Sequence, residues 1–187
     1  MPPAKKYQKD DIINAAYEVV RIEGLEGLNA RRVARELASS VQPIFHNFES
    51  MENLKTAVIE KIYQTYKGYI YSRIDEKMGY KQAGLSYIQF ARDFPEFFKI
   101  LFMYKNGCGV DKFIMMDETG DRIIKSGQRL TGFSYEEQRE FHVKVWIFTH
   151  GIASLVAMRT VQFSEEEVDR LLETTVREML RGRMAEK

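Results

Sequence analysis

The sequence has little of what several protein classes need. Cys108 is the only cysteine among 187 residues, which excludes an intrachain disulfide and is typical of a reducing compartment. No apolar run approaches the roughly 20 residues that a membrane-spanning helix needs. The first residues also lack the apolar segment of a secretory signal. We therefore expect a cytoplasmic protein without membrane contact.

An excess of charge of either sign is also missing. The 28 Lys and Arg residues and the 27 Asp and Glu residues leave a net charge of +1, which gives no overall attraction to nucleic acid. Any affinity for DNA must come from local placement. Basic side chains do cluster modestly near the N-terminus: Lys5, Lys6, Lys9, Arg31, Arg32 and Arg35. The hydrophobic content of 44% predicts a globular core, in one large or two small domains.

Helical periodicity is present in every long segment, and no segment shows the alternation typical of a strand. The pattern predicts an all-α chain of about nine helices. They cover Asp10–Glu23, Arg31–Leu37, a short helix capped by Ser40, Met51 towards Lys77, Lys81–Phe94, a helix starting at Pro95, Asp111–Arg129 with a kink or weak stretch at its glycines, Tyr135–Val161 and a last helix after Ser164.

Asn29–Phe48 reads as two short helices joined by a tight turn. The second helix is small, with Pro43 in its first turn, where a missing N–H costs little. Its predicted buried residues are Ile44, Phe45 and Phe48, and its predicted outward residues are Val41, Gln42, His46 and Asn47. A short polar helix supported by another is the helix-turn-helix arrangement that enters the DNA major groove. The residues alone leave open a plain helical hairpin.

The residues of catalysis and metal binding are not arranged for either purpose. His142 and His150 lie eight residues apart on one predicted helix, about 12 Å along its axis, which is too far to share a metal. Cys108 is flanked by glycines, with no neighbouring base to activate it. We therefore expect no enzyme activity, no metal and no cofactor.

His142, Trp146 and His150 share one face of the long helix that begins near Tyr135. They are either interior or interface groups, or residues that line a pocket for a mostly apolar ligand. For His150 we favour the interior or interface role, because small residues follow it. For His142 and Trp146 the sequence leaves both open, as it does for the aromatic and methionine residues in the middle of the chain.

The N-terminal third resembles the TetR family of transcriptional repressors. The residues that carry the resemblance, in order and spacing, are Ile12–Ala16, Gly24, Val33–Leu37, Ser40, Ile44–Phe48 and Leu54. A looser resemblance to one regulatory domain of that family rests on Phe94–Phe98 and Trp146–Gly151. The resemblance implies a DNA-binding domain at residues 1–50 and a regulatory, ligand-binding and dimerisation domain at residues 51–187. It also implies a homodimer, joined through the last two helices of each subunit, on a palindromic operator that a small ligand releases.

Four positions depart from the family pattern. Ala38 and Ser39 replace the usual glycine and apolar residue of the turn, and alanine there is strained if the backbone keeps a positive φ. Phe45 replaces a tyrosine and Met51 a lysine, which removes two phosphate contacts. These changes concern DNA affinity more than the fold.

The resulting site predictions fall into three groups. Val41 and Gln42 are expected to read base edges. Contacts with phosphates that fix the register are expected from Arg31, Arg32, Ser40, His46 and Asn47, and the predicted DNA-binding surface also includes Lys5, Lys6 and Pro43. The lining of a pocket for a small hydrophobic effector is expected at Phe98, Phe102, Tyr104, Met115, Met116, His142 and Trp146. The homodimer interface is expected at His150, Ala153, Ala157, Val168, Leu172, Thr175, Val176 and Met179. The alternative is a helical homodimer that binds small molecules or proteins without a role in transcription.

Overall fold

A computed structural model of the chain describes residues 7–73, 79–104 and 118–185, and all regular structure in these ranges is helical. The α-helices are α1 Lys9–Glu23, α2 Ala30–Glu36, α3 Gln42–Asn47, α4 Met51–Tyr71, α5 Gly79–Asp93, α6 Pro95–Phe102, α7 Glu118–Thr131, α8 Tyr135–Ala157 and α9 Glu165–Ala185, with a 3-10 helix at Leu25–Gly27. The predicted all-α fold is thus confirmed for these ranges. None of these helices is both long and apolar enough to cross a membrane.

Local sequence signals set most helix ends. Gly24 ends α1 with a φ of 69°, a conformation that favours glycine. The hydroxyl of Ser50 accepts a hydrogen bond from the backbone N–H of Asn53 at 3.2 Å, which caps α4. Ser134 caps α8 and Ser164 caps α9 in the same way, each within a reciprocal pair with a glutamate three residues later. The predicted helix starts at Met51, at Tyr135 and after Ser164 agree with these caps.

Other boundaries differ from the prediction. Helix α8 ends at Ala157 rather than Val161, because Arg159 takes a left-handed conformation with a φ of 56°. Helix α4 is described as far as Tyr71, and residues 74–77 of its predicted extension lie outside the described residues. Helix α7 runs without a break through the predicted weak stretch at Gly127, and residues 111–117 of that prediction also lie outside the described residues.

The chain divides into two compact units. Of the described residues, the first unit contains 7–66 and 96–104, and the second contains 67–95 and 118–185. Helix α4 therefore contributes its first part to one unit and its last turn to the other. This geometric division places part of α4 and all but the first residue of α6 with the N-terminal helices. The functional boundary at residue 50 stays a prediction.

The first unit is built around apolar side chains of α1, α2, α3, α4 and α6. Its fully buried residues include Ile12, Val19, Val33, Ile44, Leu54, Val58, Ile62, Phe97 and Phe98. The ring of Tyr17 lies 4.7 Å from that of Phe97, and its hydroxyl lies 3.1 Å from the hydroxyl of Thr65. Helix α1 is thereby tied to both α4 and α6.

The second unit is organised by α5, which packs along α8 and also contacts α7 and α9. Its core includes Tyr87, Ile88, Phe90, Ile124, Phe141, Ile152 and Ala153. At one end a smaller cluster of Phe133, Phe141 and Val145 is covered by Tyr80 of α5 and by Val176, Met179 and Leu180 of α9.

Ala38 occupies the position after α2 where helices commonly have glycine. Its φ of 50° is left-handed. The backbone N–H groups of Ala38 and Ser39 donate to the carbonyls of Arg35 and Ala34 at 3.0 and 2.9 Å, and these bonds close the end of the helix. The positive φ expected from the family pattern is therefore present, and alanine holds it at a cost of about 1–2 kcal/mol.

Ala38→Gly is expected to raise the free energy of unfolding by about 0.5–1 kcal/mol. Glycine adopts this conformation without steric cost, and the greater conformational entropy of glycine in the unfolded chain offsets only part of that stabilisation. Ala57→Gly inside α4 is the control, and it should lower that free energy by about 1 kcal/mol. Urea unfolding of both variants measures the change in the free energy of unfolding, which should be positive for Ala38→Gly and negative for Ala57→Gly. A loss of stability in Ala38→Gly would contradict the strained turn.

Candidate functional site

Helix α3 is short and held from one side. Ile44 is fully buried and Phe48 nearly so, and the two lie four residues apart on the inner face. The helix starts after Val41, whose backbone is already helical and whose side chain offers no cap. Val41 takes the cap position before α3, and the predicted capping by Ser40 is present as a long hydrogen bond of 3.4 Å from the N–H of Gln42 to the hydroxyl of Ser40.

The outward face of α3 carries Val41, Gln42, Phe45 and His46, all of which are exposed. Phe45 is 52% exposed, so the prediction that it is buried is wrong. With Ile44 and Phe48 on the inner face, a residue one position after Ile44 points about 100° away from it. A large apolar side chain exposed beside polar ones is more informative than an exposed polar residue, because it adds apolar area to a surface that a partner can cover.

The side chains of Asn47 and Tyr7 make hydrogen bonds to backbone carbonyls within the first unit. The amide of Asn47 donates to the carbonyl of Pro43 at 2.8 Å and to that of Tyr7 at 3.4 Å. The hydroxyl of Tyr7 donates to the carbonyl of Leu37 at 2.6 Å. Asn47 is thus half-buried, in contrast to the outward position predicted for it. Lys5 and Lys6, which precede Tyr7, lie outside the described residues.

The three arginines of α2 differ in what they contact. The guanidinium of Arg32 pairs with Glu23 of α1 at 2.6 Å and with Glu36 at 3.0 Å, and these carboxylates raise the pKa of Arg32. Arg31 and Arg35 are exposed. Arg32 therefore fixes α2 to α1, while Arg31 and Arg35 are the exposed cations of this helix. A phosphate contact by Arg32 stays a prediction.

The residues predicted to line an effector pocket fall in different units. In the first unit, Phe98 and Phe102 are buried core residues with ring centroids 5.1 Å apart, and Phe102 lies 5.1 Å from Tyr66. Tyr104 is exposed. Met115 and Met116 lie outside the described residues. None of these observations tests the pocket, which stays a prediction.

In the second unit, His142 and Trp146 occupy separate environments. His142 is buried with its Nδ1 atom 3.4 Å from the hydroxyl of Tyr80, and burial lowers the pKa of His142 to about 4. Trp146 stacks on the ring of His150 at 4.8 Å. His150 is held by the hydroxyl of Tyr87, 3.0 Å from its Nδ1 atom, and burial lowers its pKa as well.

Two cavities of the second unit have linings that the sequence did not indicate. A cavity of about 300 Å³ is lined by Tyr80, Lys81, Gly84, Val145, Thr149, Leu172, Glu173, Val176, Arg177 and Leu180. A larger, more polar cavity of about 740 Å³ lies between α5 and α9 and includes Ser86, Arg92, Arg170 and Asp169. His142 and Trp146 line neither cavity, although His142 contacts Tyr80. Separate helices supply each lining, so no local sequence pattern marks it.

The homodimer interface stays a prediction, and its predicted residues differ in burial. Ala153, Ala157, Val168 and Leu172 are buried within the unit, so their side chains offer no surface to a second subunit. Val176 and Met179 are half-buried and pack against the cluster of Phe133, Phe141 and Val145. His150 and Thr175 are half-buried.

The exposed face of α8 lies elsewhere. Ile147, Leu155 and Met158 are 59%, 42% and 52% exposed. Gly151 lies among them, and a Cβ atom added there would have no described neighbour within 4 Å. These four residues follow one another at intervals of four, four and three, so they share one side of the helix. Gly182 of α9 is open in the same way.

Comparison with known proteins links the chain to one fold. No family model and no curated protein matches it. A TetR-like transcriptional regulator from Rhodococcus sp. RHA1 is 14% identical, with 98% of this chain and 99% of that chain covered and a TM-score of 0.63. A protein of unknown function from the same source is 17% identical over 97% and 98% of the two chains, with a TM-score of 0.68.

A third solved structure is a TetR variant from Acinetobacter baumannii AYE in complex with minocycline. It is 15% identical over 95% of this chain and 96% of that chain, with a TM-score of 0.53. At such identities the similarity concerns the fold, and it extends over nearly the whole length of each chain. The chain therefore has the fold of TetR-like transcriptional regulators.

Proposed function

We propose that this protein is a TetR-like transcriptional repressor that binds a palindromic operator as a homodimer and is released by a small, mostly apolar ligand. The outward face of α3 is the observation that carries the proposal. This helix is fixed from beneath by Ile44 and Phe48, and it presents Gln42 and His46 to solvent. A rigid short helix with exposed polar side chains suits entry into the major groove.

In this proposal Gln42 hydrogen-bonds an adenine edge, because its amide can donate and accept at the same time. Val41 packs on a thymine methyl group. Arg31 and His46 contact phosphates and fix the register, with Ser40, Pro43 and Asn47 at the edge of the surface and Lys5 and Lys6 as further cations. Arg32 contributes mainly by holding α2 in place through Glu23.

We place the homodimer contact on the exposed face of α8 formed by Ile147, Gly151, Leu155 and Met158, together with Gly182 of α9. Large apolar side chains that share one exposed helix face are typical of a surface that a partner covers. A glycine among them allows close approach of a second helix. Two α3 helices related by the dimer axis would then meet half-sites roughly 34–36 Å apart, or somewhat more.

The proposal is tested by gel-shift with DNA from upstream of the protein's own coding region, in the presence of excess nonspecific DNA. A retarded complex with dimer stoichiometry is expected. If the nonspecific competitor DNA abolishes the retarded complex equally for every fragment, the result would favour the alternative. That alternative is a helical homodimer that binds small molecules or proteins without regulating transcription.

Gln42→Ala is expected to lower affinity for the preferred operator by about 1–3 kcal/mol for each adenine that Gln42 reads, and to leave binding to altered operators nearly unchanged. The physical reason is that the amide contributes only where its adenine is present. Fluorescence anisotropy on an operator and its single-base variants measures the change in preference.

Arg31→Ala is the control for that experiment. It should weaken binding to all the sequences alike and reduce the slope of log affinity against log salt by about one for each phosphate that the guanidinium neutralises. If Gln42→Ala keeps the wild-type order of preference among operators, Gln42 is not a base reader.

A further inference from the structure

We infer that the cavity of about 300 Å³ between α5, α8 and α9 binds a small, uncharged, mostly apolar molecule with one hydrogen-bonding group, and that this molecule is the effector. The binding part of this inference stands on the cavity alone. The effector part rests on the proposed function. This cavity is an alternative to the pocket that the aromatic and methionine residues of the sequence suggested.

The walls of the cavity are mainly apolar. Val145, Leu172, Val176 and Leu180 line it from α8 and α9. A Cβ atom added at Gly84 of α5 would make an ordinary contact of 3.7 Å with Cδ1 of Leu172, so a larger side chain there would occupy the space between the two helices. Such a volume is at the small end of known ligand sites, which are largely apolar with a few polar groups.

Two neutral polar side chains line the cavity, and they differ in how fully they are already bonded. The hydroxyl of Thr149 donates to the carbonyl of Val145 at 2.8 Å. The hydroxyl of Tyr80 makes a long contact of 3.4 Å with His142. Burial raises the pKa of Tyr80 well above its ordinary value, so this hydroxyl stays neutral. It can therefore exchange a hydrogen bond with an alcohol or a phenol.

The charged residues around the cavity are already paired. The ammonium of Lys81 lies 2.7 Å from Asp169 and 3.8 Å from Glu173, and Arg177 pairs with Glu173. Lys81, Arg177 and Glu173 line the cavity, and Asp169, which lies outside the lining, supplies the second anion through its pair with Lys81. The paired groups therefore leave no excess charge for an ionised ligand. A carboxylate would have to displace Asp169 or Glu173 from its partner. An uncharged ligand avoids that loss, which decides the ligand class.

The position of the cavity supplies a route to regulation. Leu172, Val176 and Leu180 belong to α9, and Gly182 of the same helix belongs to the proposed dimer surface. A ligand that fills the space between α5 and α9 acts directly on the helix that would set the arrangement of the two subunits.

The probes for the test are 1-octanol and octanoate, which share an alkyl chain and differ in charge. Isothermal titration calorimetry should show octanol binding to the wild-type protein, with octanoate at least tenfold weaker. Gly84→Leu, which fills the cavity, should weaken octanol binding at least tenfold. Gly68→Leu is the matched control, because Gly68 is a helical glycine of α4 and an added Cβ there would have no described neighbour within 4 Å. It should bind octanol like the wild type.

Val176→Phe fills the cavity from the opposite wall and serves as a second variant if Gly84→Leu fails to fold, as judged by circular dichroism. Undiminished octanol binding by either folded filling variant would overturn the site. Equal binding of octanoate would overturn the ligand class, and no octanol binding to the wild type would overturn both.

Operator binding in the presence of octanol separates the two parts of the inference. Release of DNA from the wild type and from Gly68→Leu, but not from Gly84→Leu, is expected. Octanol binding in the cavity without any change in operator affinity would overturn the effector role. If the protein binds no DNA, the proposed function fails, while the calorimetry still decides whether the cavity binds uncharged ligands.

Discussion

Gly151→Arg is expected to convert the proposed homodimer to a monomer. Its affinity for an operator with two half-sites should then fall by on the order of 100-fold or more, because binding to the second half-site no longer benefits from a high effective concentration. The substitution places a long charged side chain at the centre of the exposed face of α8. Burying an arginine against a partner helix without a counter-ion is costly.

The protomer itself should tolerate this change. A Cβ atom added at Gly151 meets no described atom within 4 Å, and replacing glycine inside a helix favours helix formation by about 1 kcal/mol. The loss of the dimer should therefore occur without a loss of thermal stability in the monomer. Light scattering after size exclusion measures the mass, and anisotropy measures operator affinity.

Gly68→Arg on α4 is the matched control, because Gly68 is also a helical glycine with open space around it among the described residues. It should remain dimeric and bind the operator with wild-type affinity, or slightly better. A dimeric Gly151→Arg variant together with a monomeric Gly68→Arg variant would show that the subunits meet through another face.

Acidification from pH 7 to pH 4 is expected to remove about 3 kcal/mol of unfolding free energy through His142. Burial lowers the pKa of His142 from its ordinary value of 6.5 to about 4. Between these values the unfolded chain binds the proton more readily than the folded chain. The stabilisation is therefore fully present above pH 6.5 and is lost as the pH falls through that range.

His142→Gln should flatten this part of the pH profile, because glutamine stays neutral at every pH in the range. His46→Gln on the exposed face of α3 is the control and should keep the wild-type profile. Chemical unfolding at several pH values gives the slope of the free energy of unfolding against pH. This slope does not depend on the baseline stability of each variant. Parallel slopes for the wild type and His142→Gln would show that His142 does not cause the pH dependence.

Helix locations were largely predictable from the sequence because they depend on local signals. Ser50, Ser134 and Ser164 cap helices through neighbours three residues away, and Gly24 ends one through its own φ. Arg159 ended α8 early because a positive φ in a non-glycine residue leaves no mark in the sequence.

The faces of the helices were harder to predict. An apolar stripe such as Val168, Leu172 and Val176 shows that one side of α9 is covered, but not whether the cover is the same chain or a second subunit. Phe45 was misplaced because Ile44 and Phe48, four residues apart, occupy the inner face, and Phe45 follows Ile44 by one position and points away from that face.

The proposed binding sites combine residues that are distant in sequence. The lining of the smaller cavity comes from α5, α8 and α9. It includes Gly84, which has no side chain and therefore gives no chemical signal in the sequence. The pairing of Arg32 with Glu23 is also non-local. The sequence therefore placed Arg31, Arg32 and Arg35 in one basic cluster. In the structure, Arg32 forms an ion pair with Glu23 of α1, and the other two arginines are exposed.

The most direct test of DNA reading by α3 is selection of binding sites by the purified protein from a library of duplexes that contain a random central segment. The expected result is enrichment of an inverted repeat whose half-sites lie roughly 34–36 Å apart or somewhat more, with Gln42→Ala enriching a less specific version of the same repeat. Failure of the wild-type protein to enrich any sequence over the input library would contradict the proposed function.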